Sequence, residues 1–234
     1  MPKINRLNVA LDCIAKRLKK IPDNVVSVTV YGSLIRGDFI DGRSDVDFFI
    51  VFKRVDEKLV KGVVEEVKKL LLGCMRECGL KGELDLAWLF EDELKDPLNK
   101  GYPFKFLTVY QDDFRRHHAT LYGPDPCIVL PRYPKPRIYH WRAERLRRLA
   151  EKYRDDRRML KIVVGEAVRL YALVNGAKSI SNQDVLSVIR MLDQEAAQIW
   201  TAYLEGLELR KTNAELIEMV KRLTRKVECS ISTE

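Results

Sequence analysis

The sequence predicts a mixed α/β (α+β) domain with a small mixed sheet, followed by a domain that is an α-helical bundle. Over residues 1–130, short β-branched and aromatic runs alternate with amphipathic stretches, as in domains that combine strands with helices. Over residues 138–234, apolar residues recur three and four positions apart, which is typical of helices packed on one another. The proline-rich segment PRYPKP lies between the two patterns.

This proline-rich segment predicts the domain boundary. It contains Pro131, Pro134 and Pro136, and each proline lacks a backbone donor and disfavours helix at the residue before it. We therefore expect a first domain over 1–130, a linker over 131–137 and a helical domain over 138–234.

Local patterns predict the elements of the first domain. Apolar residues on one face predict a first helix that ends before Pro22; they are Ile4, Leu7, Leu11, Ile14 and Leu18. β-Branched and aromatic runs predict four strands: Val25–Tyr31, Asp45–Phe52, Glu83–Phe90 and Lys105–Tyr110. An amphipathic helix over 56–78 joins the second and third strands. Asp112 is expected to cap a short helix that ends near Gly123.

Helices account for the whole second domain. An apolar stripe runs from Leu146 to Val174 and stops at Asn175-Gly176, a pair typical of helix C-termini. Ser181 with an acid three residues later, Asp184, resembles a capping box and predicts a helix that continues to Tyr203. A last helix is expected over about 212–227.

Composition limits the partners without naming a function. The net charge of +8 favours an anionic partner, which leaves open a nucleotide, a nucleic acid or nothing specific. No apolar run approaches the ~20 residues of a membrane span, and no signal peptide is evident. The five cysteines are odd in number and scattered, which indicates a reduced, cytoplasmic protein. Cys74 and Cys78 are expected to be buried free thiols, and His117-His118 to lie on a solvated helix face.

The stretch Val30 to Phe52 concentrates the residues that suit catalysis. Gly32-Ser33 directly follows a strand, so backbone N–H groups and the serine hydroxyl can approach the terminal phosphates of a nucleotide. Asp45 and Asp47 project from the same face at the start of the next strand, because side chains two apart in a strand share a face. Their mutual repulsion, roughly 4 kcal/mol at ~4 Å in a medium of intermediate dielectric, must be offset by a shifted pKa or by a bound cation. Oxygen ligands of this kind suit Mg²⁺.

Asp85 is the candidate for a third carboxylate. It is a lone acid between Leu84 and Leu86 in the third predicted strand. If that strand lies beside Asp45 and Asp47, the three acids form a site for two metal ions in a phosphoryl displacement. Two alternatives stay open: Glu83 shares the same face, and Asp85 can be an ordinary surface acid.

These residues together resemble the signature of the DNA polymerase β-like nucleotidyltransferase superfamily. The resemblance rests on Gly-Ser after a strand and on acid-apolar-acid at the entry of the next, and Arg36-Gly37 and Ser44 agree with small members of the superfamily. It implies Mg²⁺-dependent transfer of a nucleoside monophosphate from a nucleoside triphosphate, with Mn²⁺ as a substitute ion. By position, the implied nucleotide-binding residues are Gly32, Ser33, Arg36 and Ser44, and the implied catalytic metal ligands are Asp45, Asp47 and Asp85.

The segment from Gly165 to Ile189 is similar to the helical domain of aminoglycoside nucleotidyltransferases, in which the acceptor lies between the two domains. The resemblance implies ATP as the favoured donor and a small hydroxylated molecule as the first choice of acceptor. A partner protein, modified as in some toxin–antitoxin systems, is the second choice and RNA the third. The general base is left open among Asp85, Glu83 and Glu166, and a homodimer is also left open. A non-catalytic nucleotide-binding or interaction module is the rival hypothesis.

Overall fold

The computed structural model describes residues 3–18, 21–77, 79–100 and 102–231. It divides the chain into two compact units, Met1–Arg132 and Tyr133–Glu234. The first helix of the second unit begins at Lys135. Helix therefore starts inside the segment predicted as a linker, since a proline at the first helical positions costs no backbone hydrogen bond.

The first unit combines four strands with four α-helices among its described residues. In chain order the elements are α1 (Lys3–Leu18), β1 (Val25–Tyr31), α2 (Ser33–Arg36), β2 (Val46–Phe52), α3 (Glu57–Glu77), β3 (Leu84–Phe90), α4 (Gln111–Arg116) and β4 (His118–Tyr122). The first three predicted strands are confirmed to within one residue at their starts. The small mixed sheet that they were expected to form is also confirmed.

The sheet has the order β3-β2-β1-β4. β1 pairs antiparallel with both β2 and β4, whereas β2 and β3 are parallel and are joined through α3. Within this register Asp85 lies opposite Asp47, Asp47 opposite Tyr31, and Tyr31 opposite His118. These four residues form one row across the sheet, and directly opposed residues share a face.

Each face of the sheet packs against its own apolar core. On one face, residues of α1 and α3 such as Ile14 and Leu71 cover Val28 and Phe48. On the other, Tyr31 and Phe49 pack in an aromatic cluster with Phe106, whose ring stacks on Tyr31 at 4.3 Å between centroids. Asp47 belongs to this second face, so the aromatic core borders the acidic row.

The segment Lys105–Tyr110 is not the fourth strand, and that prediction was wrong. Tyr102–Leu107 forms 3₁₀ helix instead, and its Phe104, Phe106 and Leu107 are all buried. The run is apolar apart from Lys105 and Thr108 and does not alternate strictly, and periodicity cannot distinguish such a run from a short buried helix. The fourth strand is β4, which lies where helix was expected. His118 is accordingly a strand residue and does not belong to a solvated helix face.

The second unit is helical throughout its described residues. Its helices are α5 (Lys135–Lys152), α6 (Arg157–Val174), α7 (Asn182–Leu192), α8 (Gln194–Glu205) and α9 (Asn213–Ile231). Ser181 caps α7 as predicted, because its hydroxyl accepts from the Asp184 amide at 3.1 Å. The helix expected to continue to Tyr203 is two helices, since Asp193 ends the first and caps the second through the Ala196 amide at 3.0 Å.

Two smaller predictions have different outcomes. Cys74 is a buried free cysteine, as expected, whereas Cys78 lies outside the described residues. A search of the helices in the described part of the chain finds no stretch with the length and hydropathy to cross a membrane.

Candidate active site

The three predicted carboxylates converge at one end of the sheet. Asp47 and Asp85 are direct partners across the parallel pair β2 and β3. Asp45 stands immediately before β2, two residues ahead of Asp47, where an extended chain presents both side chains to one side. The structure therefore brings Asp85 beside Asp45 and Asp47, although it lies far from them in the sequence.

The charges of this acidic cluster are poorly compensated. The pKa of Asp47 is raised to about 7, first by burial and then by the negative charges of Asp85 and Asp45. The pKa of Asp45 is raised by burial, by Asp85 and by Glu83. Such shifts mean that ionised carboxylates repel one another here. A divalent cation relieves that repulsion, and carboxylate oxygens are the ligands Mg²⁺ prefers, so this donor set fits the expected ion.

Gly32 places a tight turn directly against Asp47. Its φ of 78° lies in the left-handed region, which favours glycine. A Cβ built at this position would also collide with the Asp47 Oδ2 atom. Only a residue without a side chain lets the backbone approach this carboxylate so closely. The next residue, Ser33, begins α2, so the first N–H groups of a helix turn start beside the acids.

Arg36 is held in an ion-pair network. Its Nε lies 2.9 Å from Asp38 Oδ1, and its Nη1 lies 2.7 Å from Asp113 Oδ2. The other oxygen of Asp113 contacts His117 Nδ1 at 3.1 Å. These contacts tie α2 to α4 and fix the turn that follows β1. Arg36 also lowers the pKa of Asp47 by its charge, while its predicted nucleotide contact stays a prediction.

The loop before Asp45 is anchored to the start of β3. The Ser44 hydroxyl accepts from the Ile40 amide at 2.9 Å, and the Val46 amide donates to the Glu83 carbonyl at 2.8 Å. A Cβ at Gly82 would lie only 2.5 Å from the Ser44 carbonyl oxygen, so glycine is needed for this approach. Ser44 thus holds the loop, and its predicted contact with a nucleotide stays a prediction.

Two of the three candidate bases lie at this cluster. Asp85 and Glu83 are both exposed, and each raises the pKa of Asp45 by its charge. Glu166 is different: it is 3% exposed and ion-paired to Arg142 at 2.7 Å and Arg169 at 3.0 Å. These two ion pairs hold the Glu166 carboxylate inside the helical unit. The role of Glu166 as a general base stays a prediction.

Two residues near the cluster were missed from the sequence. Lys105 lowers the pKa of Asp47 by its positive charge, and Asp113 fixes Arg36. The signal for Lys105 was a lone lysine in the apolar run YPFKFL, parallel to the lone acid that identified Asp85. Asp113 stands beside another acid in an amphipathic segment, and nothing local distinguishes it.

Comparisons with known proteins agree with this geometry. Residues 11–116 match the model of the nucleotidyltransferase domain family, a range that includes all three acids and the Gly32 turn. Among solved structures, the chain is similar to spectinomycin adenyltransferase AAD(9) from Enterococcus faecialis, determined with ATP and spectinomycin; the TM-score is 0.57 at 16% identity, over 96% of this chain and 99% of that one.

At that identity the structural likeness establishes a shared fold. No curated protein sequence matches the chain significantly. The family match supplies the activity class. Residues 11–116 thus carry a nucleotidyltransferase domain, and the chain is an enzyme of the nucleotidyltransferase class.

Proposed function

We propose that the protein transfers a nucleoside monophosphate, with ATP as the favoured donor, to a hydroxyl group of a small-molecule acceptor in the presence of Mg²⁺. The observation that carries this proposal is the register of β2 and β3, which sets Asp47 opposite Asp85 with Asp45 just before the strand. A set of three carboxylates beside a turn that admits phosphates suits a displacement at phosphorus.

Each residue has a distinct part in this reaction. Asp45, Asp47 and Asp85 would hold two Mg²⁺ ions, with Mn²⁺ as a substitute, which neutralise phosphate charge and make the acceptor hydroxyl more acidic when bound. The turn at Gly32-Ser33 would bind the outer phosphates through backbone N–H groups and the serine hydroxyl. Ser44 holds the loop that presents Asp45, and Arg36 holds the turn.

The bonds and protons balance without a further reactant. The acceptor oxygen forms a bond to the α-phosphorus of the nucleotide, the bond from that phosphorus to the bridging oxygen breaks, and pyrophosphate leaves. The acceptor proton passes to Asp85, which is exposed and therefore open to the incoming hydroxyl. Glu83 is the alternative acceptor of this proton.

The acceptor class is inferred from the similar structure. That protein was determined with ATP and spectinomycin, and the likeness extends over 96% of this chain, so it includes the helical unit. A small hydroxylated molecule is therefore the first choice of acceptor. A protein side chain and then RNA follow. The cytoplasmic location and the homodimer remain predictions.

The test is incubation of the full chain with Mg²⁺ and each α-labelled nucleoside triphosphate, together with aminocyclitol and aminoglycoside acceptors or a cell extract. We expect label from ATP on a small molecule. Label on protein or RNA would replace the acceptor assignment, and no transfer under any condition would support a non-catalytic module. Undiminished transfer by the Asp45→Ala, Asp47→Ala double variant would remove these acids from the mechanism.

A further inference from the structure

A second cluster of metal-binding residue types lies at the free edge of the sheet. His118 begins β4, and Asp125 and Cys127 lie in the turn that follows this strand, around the 3₁₀ segment Pro126–Ile128. One donor atom from each residue lies within 4.8 Å of the other two. The row across the sheet puts His118 two strands away from Asp47, or about 10 Å.

The turn that brings these residues together is tightly packed. A Cβ at Gly123 would collide with the carbonyl oxygen of Val26, so the chain leaves β4 pressed against β1. Arg115 then holds the returning segment, because it donates to the Cys127 carbonyl at 3.0 Å and to the Leu130 carbonyl at 2.7 Å. Asp125 and Cys127 are thereby brought back to His118.

The imidazole of His118 is oriented by acceptors on both sides. Its Nδ1 lies 2.9 Å from the Phe114 carbonyl oxygen, and its Nε2 lies 3.1 Å from Asp125 Oδ1. The ring also stacks on Phe114. A neutral imidazole has one N–H, and once this is donated to the carbonyl its Nε2 lone pair points at a carboxylate oxygen. Both acceptor oxygens are satisfied only if Nε2 carries a second proton or if a cation lies between Nε2 and the Asp125 carboxylate.

Cys127 favours the cation. An ion pair between His118 and Asp125 would account for two residues, but the thiol stands in the same cluster, beside the Asp125 carboxylate. The donor atoms of all three residues lie within 4.8 Å of one another, and a metal ion bound among them would displace the thiol proton and take the sulfur as a thiolate ligand. Nitrogen, carboxylate oxygen and sulfur together are the ligand types of zinc.

We propose that His118, Asp125 and Cys127 bind one transition-metal ion of the zinc class through Nε2, a carboxylate oxygen and Sγ. The Nδ1–H group of His118 donates a hydrogen bond to the Phe114 carbonyl, and such a bond commonly orients a metal-bound histidine. Binding releases the thiol proton to solvent, and water completes the tetrahedron. The site differs from the carboxylate cluster in ligand softness as well as place, since sulfur and imidazole select zinc over magnesium.

The test is a Co²⁺ titration of the reduced, chelator-treated full chain, followed by absorption. We expect one equivalent to produce a thiolate-to-cobalt charge-transfer band that Zn²⁺ abolishes by competition. Cys127→Ser should lose the band, while Cys229→Ser, which removes an exposed thiol, should keep it. Asp125→Asn should weaken affinity by at least about tenfold. The Asp45→Ala, Asp47→Ala variant should bind normally.

Two results would overturn the site: no charge-transfer band in the unaltered chain, or a band that persists in Cys127→Ser. If Cys127→Ser fails to fold by circular dichroism, X-ray absorption of the Zn²⁺-loaded unaltered chain decides. One sulfur ligand supports the site, and a shell of only nitrogen and oxygen contradicts it.

Discussion

The acidic end of the sheet and the buried acid of the helical unit place carboxylates in opposite electrostatic surroundings. Asp47 faces the like charges of Asp45 and Asp85, which help raise its pKa to about 7. Glu166 is more deeply buried, yet it lies between Arg142 and Arg169. The charge of the neighbouring groups, more than the degree of burial, distinguishes the two carboxylates. Asp47 lies in a cluster that favours a bound cation, whereas Glu166 belongs to an ion pair that stabilises the fold.

The acidic cluster and the Glu166 ion pair also contribute differently to stability and to ligand binding. The carboxylates of the first unit repel one another, which lowers the free energy of unfolding unless a ligand supplies positive charge. The ion pair of the second unit supplies its own positive charge within the chain. Variants at the two places should therefore affect different measurements, and the comparison fails if they do not.

The largest effect is expected for Asp47→Asn on catalysis. The change removes one negative ligand while preserving shape, and metal-based charge stabilisation is worth several kcal/mol, so kcat/KM should fall about a thousandfold or more. Steady-state transfer of α-labelled ATP measures this. Glu83→Gln is the matched control and should lose far less. Equal losses in both variants would mean that Glu83 also takes part in the reaction, as the proton acceptor or through its charge.

Glu166→Gln should act on stability instead. Loss of one member of a buried ion pair leaves the guanidinium of Arg142 without its carboxylate, and such losses cost about 3 kcal/mol or more. Chemical denaturation should show this decrease in the free energy of unfolding. The Mg²⁺ dependence of transfer by the folded fraction should be unchanged. A shift in that dependence at constant stability would place Glu166 in the chemistry after all.

Gly32→Ala tests the close approach of the turn to Asp47. The added Cβ collides with the carboxylate and also strains a backbone at φ 78°, so transfer activity should fall about a hundredfold, or ~3 kcal/mol. Gly37→Ala is the control, because its φ is 91° with nothing within 4 Å of the added atom. It shares the strain without the collision. Similar activity in the two variants would remove the special role of Gly32.

Sequence patterns predicted those parts of the site that are local in the chain. Strands β1 to β3 followed from β-branched runs, and the alternation of side chains placed Asp45 and Asp47 on one face. Asp85 was found as a polar residue in an apolar run. The strand register that sets Asp85 opposite Asp47 is seen only in the structure. From the sequence, the three-acid site depended on the assumption that these two strands are neighbours.

Residues that act through distant partners were not predictable in this way. Asp113 fixes Arg36 from 77 positions away, and neither residue has a pattern that names the other. His118 was expected on a helix because Asp112 was expected to cap a helix that ended near Gly123. In the structure α4 ends at Arg116 and β4 follows it. Lys105 was expected in a strand because the run Lys105–Tyr110 is largely apolar and aromatic. In the structure Tyr102–Leu107 is 3₁₀ helix, and Phe106 stacks on Tyr31.

The smallest effect is expected in the pH dependence of the metal-free protein. Asp47 has a pKa of about 7 in the folded chain, against 3.8 for an aspartate outside these surroundings, so between these values the folded state binds more protons than the unfolded state. Its stabilising effect is full below the lower value and is lost as the pH rises through the higher one. With chelator present, the midpoint of thermal unfolding should fall by a few degrees more between pH 5 and 8 than in Asp47→Asn. Added Mg²⁺ should reverse that fall by binding the ionised acids. An identical pH profile in both proteins would mean that Asp47 is already compensated in the folded chain, and the contrast with Glu166 would be lost.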